Sequence, residues 1–343
     1  MQAYKVYIAS ALCSLLLSGI TPHTKKPVER KDVERKDIIG KTKAVSSNNN
    51  DYKDDVISVY NEETQQQQNY VYDKELYLLG CDTLPQVKFW RSIMHLPKDS
   101  ALLCYSKQRC VIDKVHVKTW NTYNDDQKLS YRDSLRFANC LSDSERILLV
   151  EGKSFFYDFD KAYTNLHRGI NDFMANNVDP WYAQAILLIE SPNKLQKSNV
   201  GAYGPFQLMK PVARMFGLKV NKYIDERADF DRSAYASSCL LKNICIPKTK
   251  EILDTLCIPY NETDLWFRLL VMHVYHAGAG NVKAALQSIN PSYGDFNLIQ
   301  TLWHTQAKAF KSASQNYSQL ALAAMLEMNA KLKLDGLPVP IKN

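Results

Sequence analysis

The chain lacks a hydrophobic segment of transmembrane length. Its N-terminal apolar run, Val6 to Leu17, is too short to remain as an anchor across a bilayer. It has no CxxC pair to suggest zinc, no recognisable nucleic-acid-binding motif and no run of interleaved basic and aromatic residues. Neither sign of charge dominates: 43 Lys+Arg against 36 Asp+Glu leave a formal net charge of +7. That modest excess suits an anionic partner such as a cell envelope or nucleic acid, and charge alone does not choose between them. With 45% hydrophobic and 23% charged residues in 343, whole-chain disorder, collagen and a multi-span membrane protein are excluded. The length allows about two domains.

What is present begins with an address. Lys5, the run Val6 to Leu17 and then Ser18-Gly19 read as a charged start, an apolar stretch and small residues for cleavage, an export signal over residues 1–20. A buried N-terminal helix is the alternative for the same residues. A lipid anchor on Cys13 is disfavoured because Leu12 stands where bacterial lipoproteins carry a small residue. Export implies a periplasmic or envelope-associated protein with no transmembrane segment left after cleavage. Removing Cys13 leaves Cys81, Cys104, Cys110, Cys140, Cys239, Cys245 and Cys257, an odd number, so at least one thiol is free or pairs between chains. Cys104/Cys110 and Cys239/Cys245 are candidate local disulfides, with buried, unpaired cysteine the alternative at each.

Residues 21–70 are polar and low in complexity, with a tandem VERKD at Val28 to Asp32 and Val33 to Asp37, then Asn48 to Asn50 and Gln65 to Gln68. Such a stretch cannot bury enough apolar surface to offset its ordering entropy, so a disordered tether is expected, with a short charged helix the alternative for the repeat. Residues 71–160 regain apolar and aromatic residues with mixed periodicity, and read as an accessory region, mostly helical, packed on the next domain. From residue 161 to 335 the pattern is helical, which makes the expected fold class mainly α. Asp179-Pro180 opens a helix that should stop at Glu190, because Pro192 pushes Ser191 out of the α region. Further helices are expected at about Pro205 to Phe216, Ser233 to Asn243, Asp264 to Tyr275, Asn281 to Ser288 and Ser314 to Lys331.

Glu190 is the residue that needs an explanation. Ala183, Ile186 and Leu187 lie seven, four and three positions before it, which puts its carboxyl on the apolar stripe of the helix. It also occupies the last turn, where the negative end of the helix dipole disfavours another negative charge. Both effects raise a carboxyl pKa, the condition for an acid still protonated near neutral pH. After it come Ser198 and the turn Gly201-Ala202-Tyr203-Gly204-Pro205-Phe206-Gln207, whose glycines allow a tight return that brings Gln207 and backbone groups back towards Glu190. Pro205 is placed to open the next helix.

Glu190-Ser191, Ser198, the Gly201 to Gln207 turn and Tyr275-His276-Ala277-Gly278 together resemble the lytic transglycosylases related to goose-type lysozyme. Gly217 to Val220 with Asp225-Glu226-Arg227 look like the membrane-bound members that cleave peptidoglycan. The resemblance covers about Pro180 to Leu322. It implies a lysozyme-like helical domain, no cofactor, and peptidoglycan glycan strands as the partner, alongside envelope machinery. Glu190 would be the sole acid/base, cleaving after N-acetylmuramic acid with a 1,6-anhydro product, while Ser198, Gly201, Tyr203, Gln207, Tyr275 and His276 hold sugar or Glu190. Tyr317 matches a tyrosine of the family's closing helix that approaches the cleft. The turn sits one residue nearer Glu190 than in the family, Pro205-Phe206 replace residues usually Leu and Met or Trp, and His276 stands where Asn is usual, which implies an extra pH limb.

Two other readings use the same residues. A hydrolytic muramidase needs a second carboxylate about 5 to 9.5 Å from the acid, with Asp225, Glu226 and Asp229 as candidates unless they form a charge network around Arg227. A non-catalytic peptidoglycan-binding scaffold would hold glycan without cutting it. His273 and His276 at i, i+3 suggest a metal, but no third ligand is evident, and His273 reads as a satisfied core histidine. Trp181, Tyr182, Phe206, Trp266 and Trp303 read mostly as core, and Tyr203 as exposed.

Overall fold

The computed structural model of the protein describes residues 55–61, 65–190 and 197–334. The export signal, the VERKD repeat and the Ser191-Pro192 helix stop lie outside the described residues. The first described element corrects the tether expected to run to residue 70. β1 (Val56–Asn61) pairs antiparallel with β2 (Gln66–Val71), in a register that sets Ile57 opposite Tyr70. The polar composition hid this hairpin because its stability comes from the rest of the chain. Tyr70 is fully buried and stacks on Tyr163, with ring centroids 4.4 Å apart. The backbone of Val71 is bonded in both directions by the side chain of Gln184 (2.9 and 2.7 Å).

The accessory region continues through α1 (Glu75–Leu78), a 3-10 turn at Cys81–Thr83 and α2 (Pro85–His95). It then folds as a three-stranded antiparallel sheet in the order β4-β3-β5, from β3 (Ser100–Tyr105), β4 (Val111–His116) and β5 (Ile147–Glu151). Between β4 and β5 lie α3 (Val117–Thr122) and α4 (Asp125–Ala138), the latter opened by a reciprocal capping box between Asn124 and Gln127. A small core of Leu103, Trp120 and Ile147 serves the sheet and these helices. α2 instead puts Val87, Trp90 and Ile93 into the main core.

The remainder is helical, and the chain is mainly α as expected. α5 (Phe159–Ala175) and α6 (Pro180–Glu190) are antiparallel neighbours, followed by α7 (Lys210–Met215), a 3-10 turn at Glu226–Ala228 and α8 (Phe230–Leu240). A π-helical turn (Leu241–Cys245) leads to α9 (Ile246–Thr255), α10 (Leu265–Ala277), α11 (Ala279–Ile289), α12 (Phe296–Leu302) and α13 (Ser312–Leu334). The helix expected from Pro205 begins only at Lys210. Gly204 and Gln207 have φ of +88° and +47°, which no α-helix accepts. α13 packs against α2, α6 and α10 and so joins the accessory region to the helical one.

Neither candidate disulfide forms. Cys104 faces the main core beside Arg109, and Cys110 turns to the Tyr105 hydroxyl. Cys239 bonds Tyr235 on its own helix, and Cys245 is buried in the core.

Candidate active site

α6 is buried along its whole length, so its apolar pattern runs all round rather than along one stripe. Its start is the expected cap: Asp179 accepts from the Trp181 amide at 2.9 Å and also receives the Nε of Arg268 at 2.8 Å. At the other end Glu190 is 8% exposed, and its Oε1 accepts a 2.9 Å hydrogen bond from the Tyr317 hydroxyl. Burial pushes its pKa up to about 7, against a smaller lowering from Tyr317. Among the described residues, no charged group contributes to that shift.

The glycine turn is built as a small β-bridged loop. The Tyr203 and Leu208 backbones exchange hydrogen bonds of 3.1 and 3.0 Å, and Ser198 Oγ accepts from the Ala202 amide at 2.9 Å. Ser198 therefore closes the loop. Gly204 is required where it stands: a Cβ there would lie 1.8 Å from the Arg227 carbonyl oxygen. Gly201 shares the positive φ, +88°, but faces open space.

Arg227, wholly buried, clamps this turn. Its Nη1 donates to the carbonyls of Gly201 and Leu208, both at 2.8 Å, while Nε and Nη2 grip the Asp225 carboxylate at 2.8 and 2.7 Å. The guanidinium also lies over the Tyr203 ring, 5.5 Å from its centre, which leaves Tyr203 half-buried rather than exposed. Gln207 is buried and folds its amide onto the Gly204 carbonyl at 3.0 Å.

Helix α10 contributes the next wall. The Tyr275 hydroxyl donates to the Phe206 carbonyl at 2.6 Å and lies 3.1 Å from Ser237 Oγ, so it fixes the turn instead of bonding Glu190. It stays in the electrostatic field of Glu190, which, after burial, helps hold its pKa up. His276 is 1% exposed and stacks on Tyr317 with centroids 4.3 Å apart. Neither of its ring nitrogens has a hydrogen-bond partner among the described residues. Burial lowers its pKa to about 4, so the imidazole is neutral across the physiological range and adds no pH limb there. That corrects the expectation drawn from its side chain type alone.

His273 is buried as expected. Both ring nitrogens lack a bond of good geometry among the described residues, with the Ser314 backbone beside them. No group of three His, Cys, Asp or Glu able to hold a metal occurs among the described residues. The candidate second carboxylates are engaged elsewhere. Asp225 is held by Arg227, Glu226 accepts from the Lys219 amide and Arg232, and Asp229 caps α8 through the Arg232 amide. Of the aromatics, Trp181, Tyr182, Phe206, Trp266 and Trp303 are buried.

Two neighbours of the site carried no sequence signal. The Tyr157 hydroxyl is buried, lacks a partner among the described residues and feels the Glu190 charge. Ser237 backs the Tyr275 hydroxyl from α8. A separate surface cavity of about 470 Å³, bordered by His167, Arg168, Asp172 and Asp231, includes none of the site residues. No helix among the described residues is long and apolar enough to cross a membrane. Compared with known proteins, the chain matches no protein-family model and no curated protein.

Proposed function

We propose that the protein is a peptidoglycan lytic transglycosylase, in which a lysozyme-like domain over residues 161–335 uses Glu190 as its single acid/base. The observation that carries the reading is the Glu190 carboxyl itself. It is buried at a helix end, has its pKa raised to about 7, is touched by a tyrosine hydroxyl, and no second carboxylate among the described residues contributes to its titration. A protonated carboxyl near neutral pH can donate to the glycosidic oxygen as the bond to C1 of N-acetylmuramic acid breaks. The 6-hydroxyl oxygen of the same sugar then bonds C1, its proton returns to Glu190, and a 1,6-anhydro end forms without water.

In this reading Ser198, Gly201, Tyr203 and Gln207 hold the glycan on the turn side, and Tyr275, His276 and Tyr317 on the helix side. The substrate places the protein outside the cytoplasm, in the periplasm or at the envelope, in keeping with the expected export signal. Hydrolysis is the weaker alternative because Asp225, Glu226 and Asp229 are already paired or capping. A non-catalytic glycan-binding scaffold is favoured by one feature: His276, whose ring nitrogens have no hydrogen-bond partner among the described residues, stands where the resembled family has Asn.

Digestion of purified peptidoglycan by wild type and Glu190→Gln, with mass analysis of the sugar ends, separates the three. Anhydro ends from wild type alone support the proposal, and reducing ends indicate hydrolysis. Glycan binding without turnover, the same in both proteins, indicates a scaffold.

A further inference from the structure

Five consecutive side chains near the start of α13 are each tied to a different place. Gln315 Nε2 donates to the Thr305 carbonyl (2.7 Å), Asn316 Oδ1 accepts from Arg109 Nη2 (3.1 Å), and Tyr317 donates to Glu190 (2.9 Å). Ser318 Oγ accepts from Trp303 Nε1 (2.8 Å), and Gln319 Oε1 accepts from Trp90 Nε1 (3.1 Å). A helix satisfies its own backbone and needs none of these bonds to form. Their effect is to fix the rotation and the axial position of the turn that carries Tyr317. Two of the five tethers, Trp90 and Arg109, come from the accessory region.

Arg109 is the unusual member. It sits in the turn between β3 and β4 with φ of +58°, a left-handed conformation that favours glycine or asparagine. Such strain persists where the surroundings over-determine it. The side chain is 7% exposed, its guanidinium 5.3 Å from the centre of the Phe89 ring and 5.5 Å from that of Trp90. Nη1 finds no hydrogen-bond partner among the described residues. For packing alone an apolar side chain would serve without burying a cation. What arginine adds is a planar, fixed donor that reaches Asn316 as well as the Cys104 thiol.

We propose that Arg109 is a positioning residue, which through Asn316 sets the Tyr317 hydroxyl against Glu190 and makes the accessory region part of the site's support. The proposal concerns the geometry around Glu190, and its catalytic meaning rests on the transglycosylase reading. Three tyrosines interact with Glu190: Tyr317 from α13 by a hydrogen bond, and Tyr275 from α10 and Tyr157 from the segment before α5 through its electrostatic field, with His276 stacked on Tyr317. Of these the Tyr317 hydroxyl alone lowers the proton affinity of Glu190, so loosening it raises the Glu190 midpoint.

The test tracks the Glu190 carboxyl carbon by 13C NMR titration in the full chain. Tyr317→Phe sets the size of the upward shift when the donor is lost. Arg109→Met and Asn316→Ala are each expected to raise the midpoint by roughly 0.5 pH unit. Because both act through one link, the double variant should shift no further than the larger single one. Ile147→Ala, in the separate small core, lowers Tm while leaving the midpoint where it is. Wild-type midpoints in both Arg109→Met and Asn316→Ala, additive shifts in the double variant, or an equal shift in Ile147→Ala would overturn the proposal. If Arg109→Met does not fold, Asn316→Ala decides alone. Peptidoglycan digestion is read separately: a shifted midpoint in a protein that cuts no glycan leaves the positioning role standing and removes the enzymatic one.

Discussion

The two ends of α6 treat buried charge in opposite ways. At the N-terminal end, Arg268 lies among Asp179, at 2.8 Å, Asp55, at 3.3 Å, and Asp73, whose carboxylate in turn accepts from Trp181 Nε1 at 2.7 Å. One guanidinium serves all three carboxylates, and burial still holds Asp55 and Asp73 above the usual carboxylate range, with Asp73 and Asp179 adding to the rise at Asp55. Among the described residues, Glu190 at the C-terminal end has no cation and a single hydroxyl donor, and polar atoms of Tyr157 and His276 in the same neighbourhood have no hydrogen-bond partner. One helix thus carries, at one end, carboxylates that share a buried cation and, at the other, a carboxyl with no cation among the described residues. Paired burial serves the fold, whereas unpaired burial costs stability and is retained where proton chemistry needs it.

The largest expected effect breaks the cation-sharing end. Arg268→Met strands the buried Asp73 and the partly buried Asp55 and Asp179, and should cost about 3–5 kcal/mol in urea unfolding at pH 7. A loss below that of an ordinary surface substitution would remove the contrast.

Glu190→Gln acts in the opposite direction and depends on pH. The ordinary glutamate value is 4.5, and the folded protein holds the proton until about pH 7. Between these values the folded state binds more protons than the unfolded one, so stability falls as pH rises. The glutamine variant should match wild type below pH 4.5 and exceed it at pH 8 by on the order of 3 kcal/mol. Parallel stability curves from pH 4 to pH 8 would show instead that Glu190 is not destabilised by its burial.

A third comparison stays within the turn. Gly204→Ala places a methyl on the Arg227 carbonyl and adds φ strain, and should cost more than about 3 kcal/mol. Gly201→Ala meets only the strain and should cost about 1 kcal/mol. Equal losses in thermal unfolding would remove the clamp as the reason for Gly204.

The local parts of this arrangement were readable from the residues. Asp179-Pro180 is the cap it looked like, and Glu190 ends its helix buried, because both follow from spacing within one helix. What spacing could not supply came from distant partners. The β1–β2 hairpin hides in a glutamine-rich stretch because α5 and α6 stabilise it. The Arg109–Asn316 bond joins residues 207 positions apart. The neutral state of His276 follows from its burial among α10 and α13 side chains, which its helix position alone could not show.

The proton on Glu190 is the point on which all of this turns. A 13C titration of that carboxyl in the wild-type chain should show a midpoint close to pH 7, coinciding with the alkaline fall of glycan cleavage. A midpoint near the ordinary glutamate value of 4.5 would contradict the account, since the group would then be a carboxylate with no proton to give.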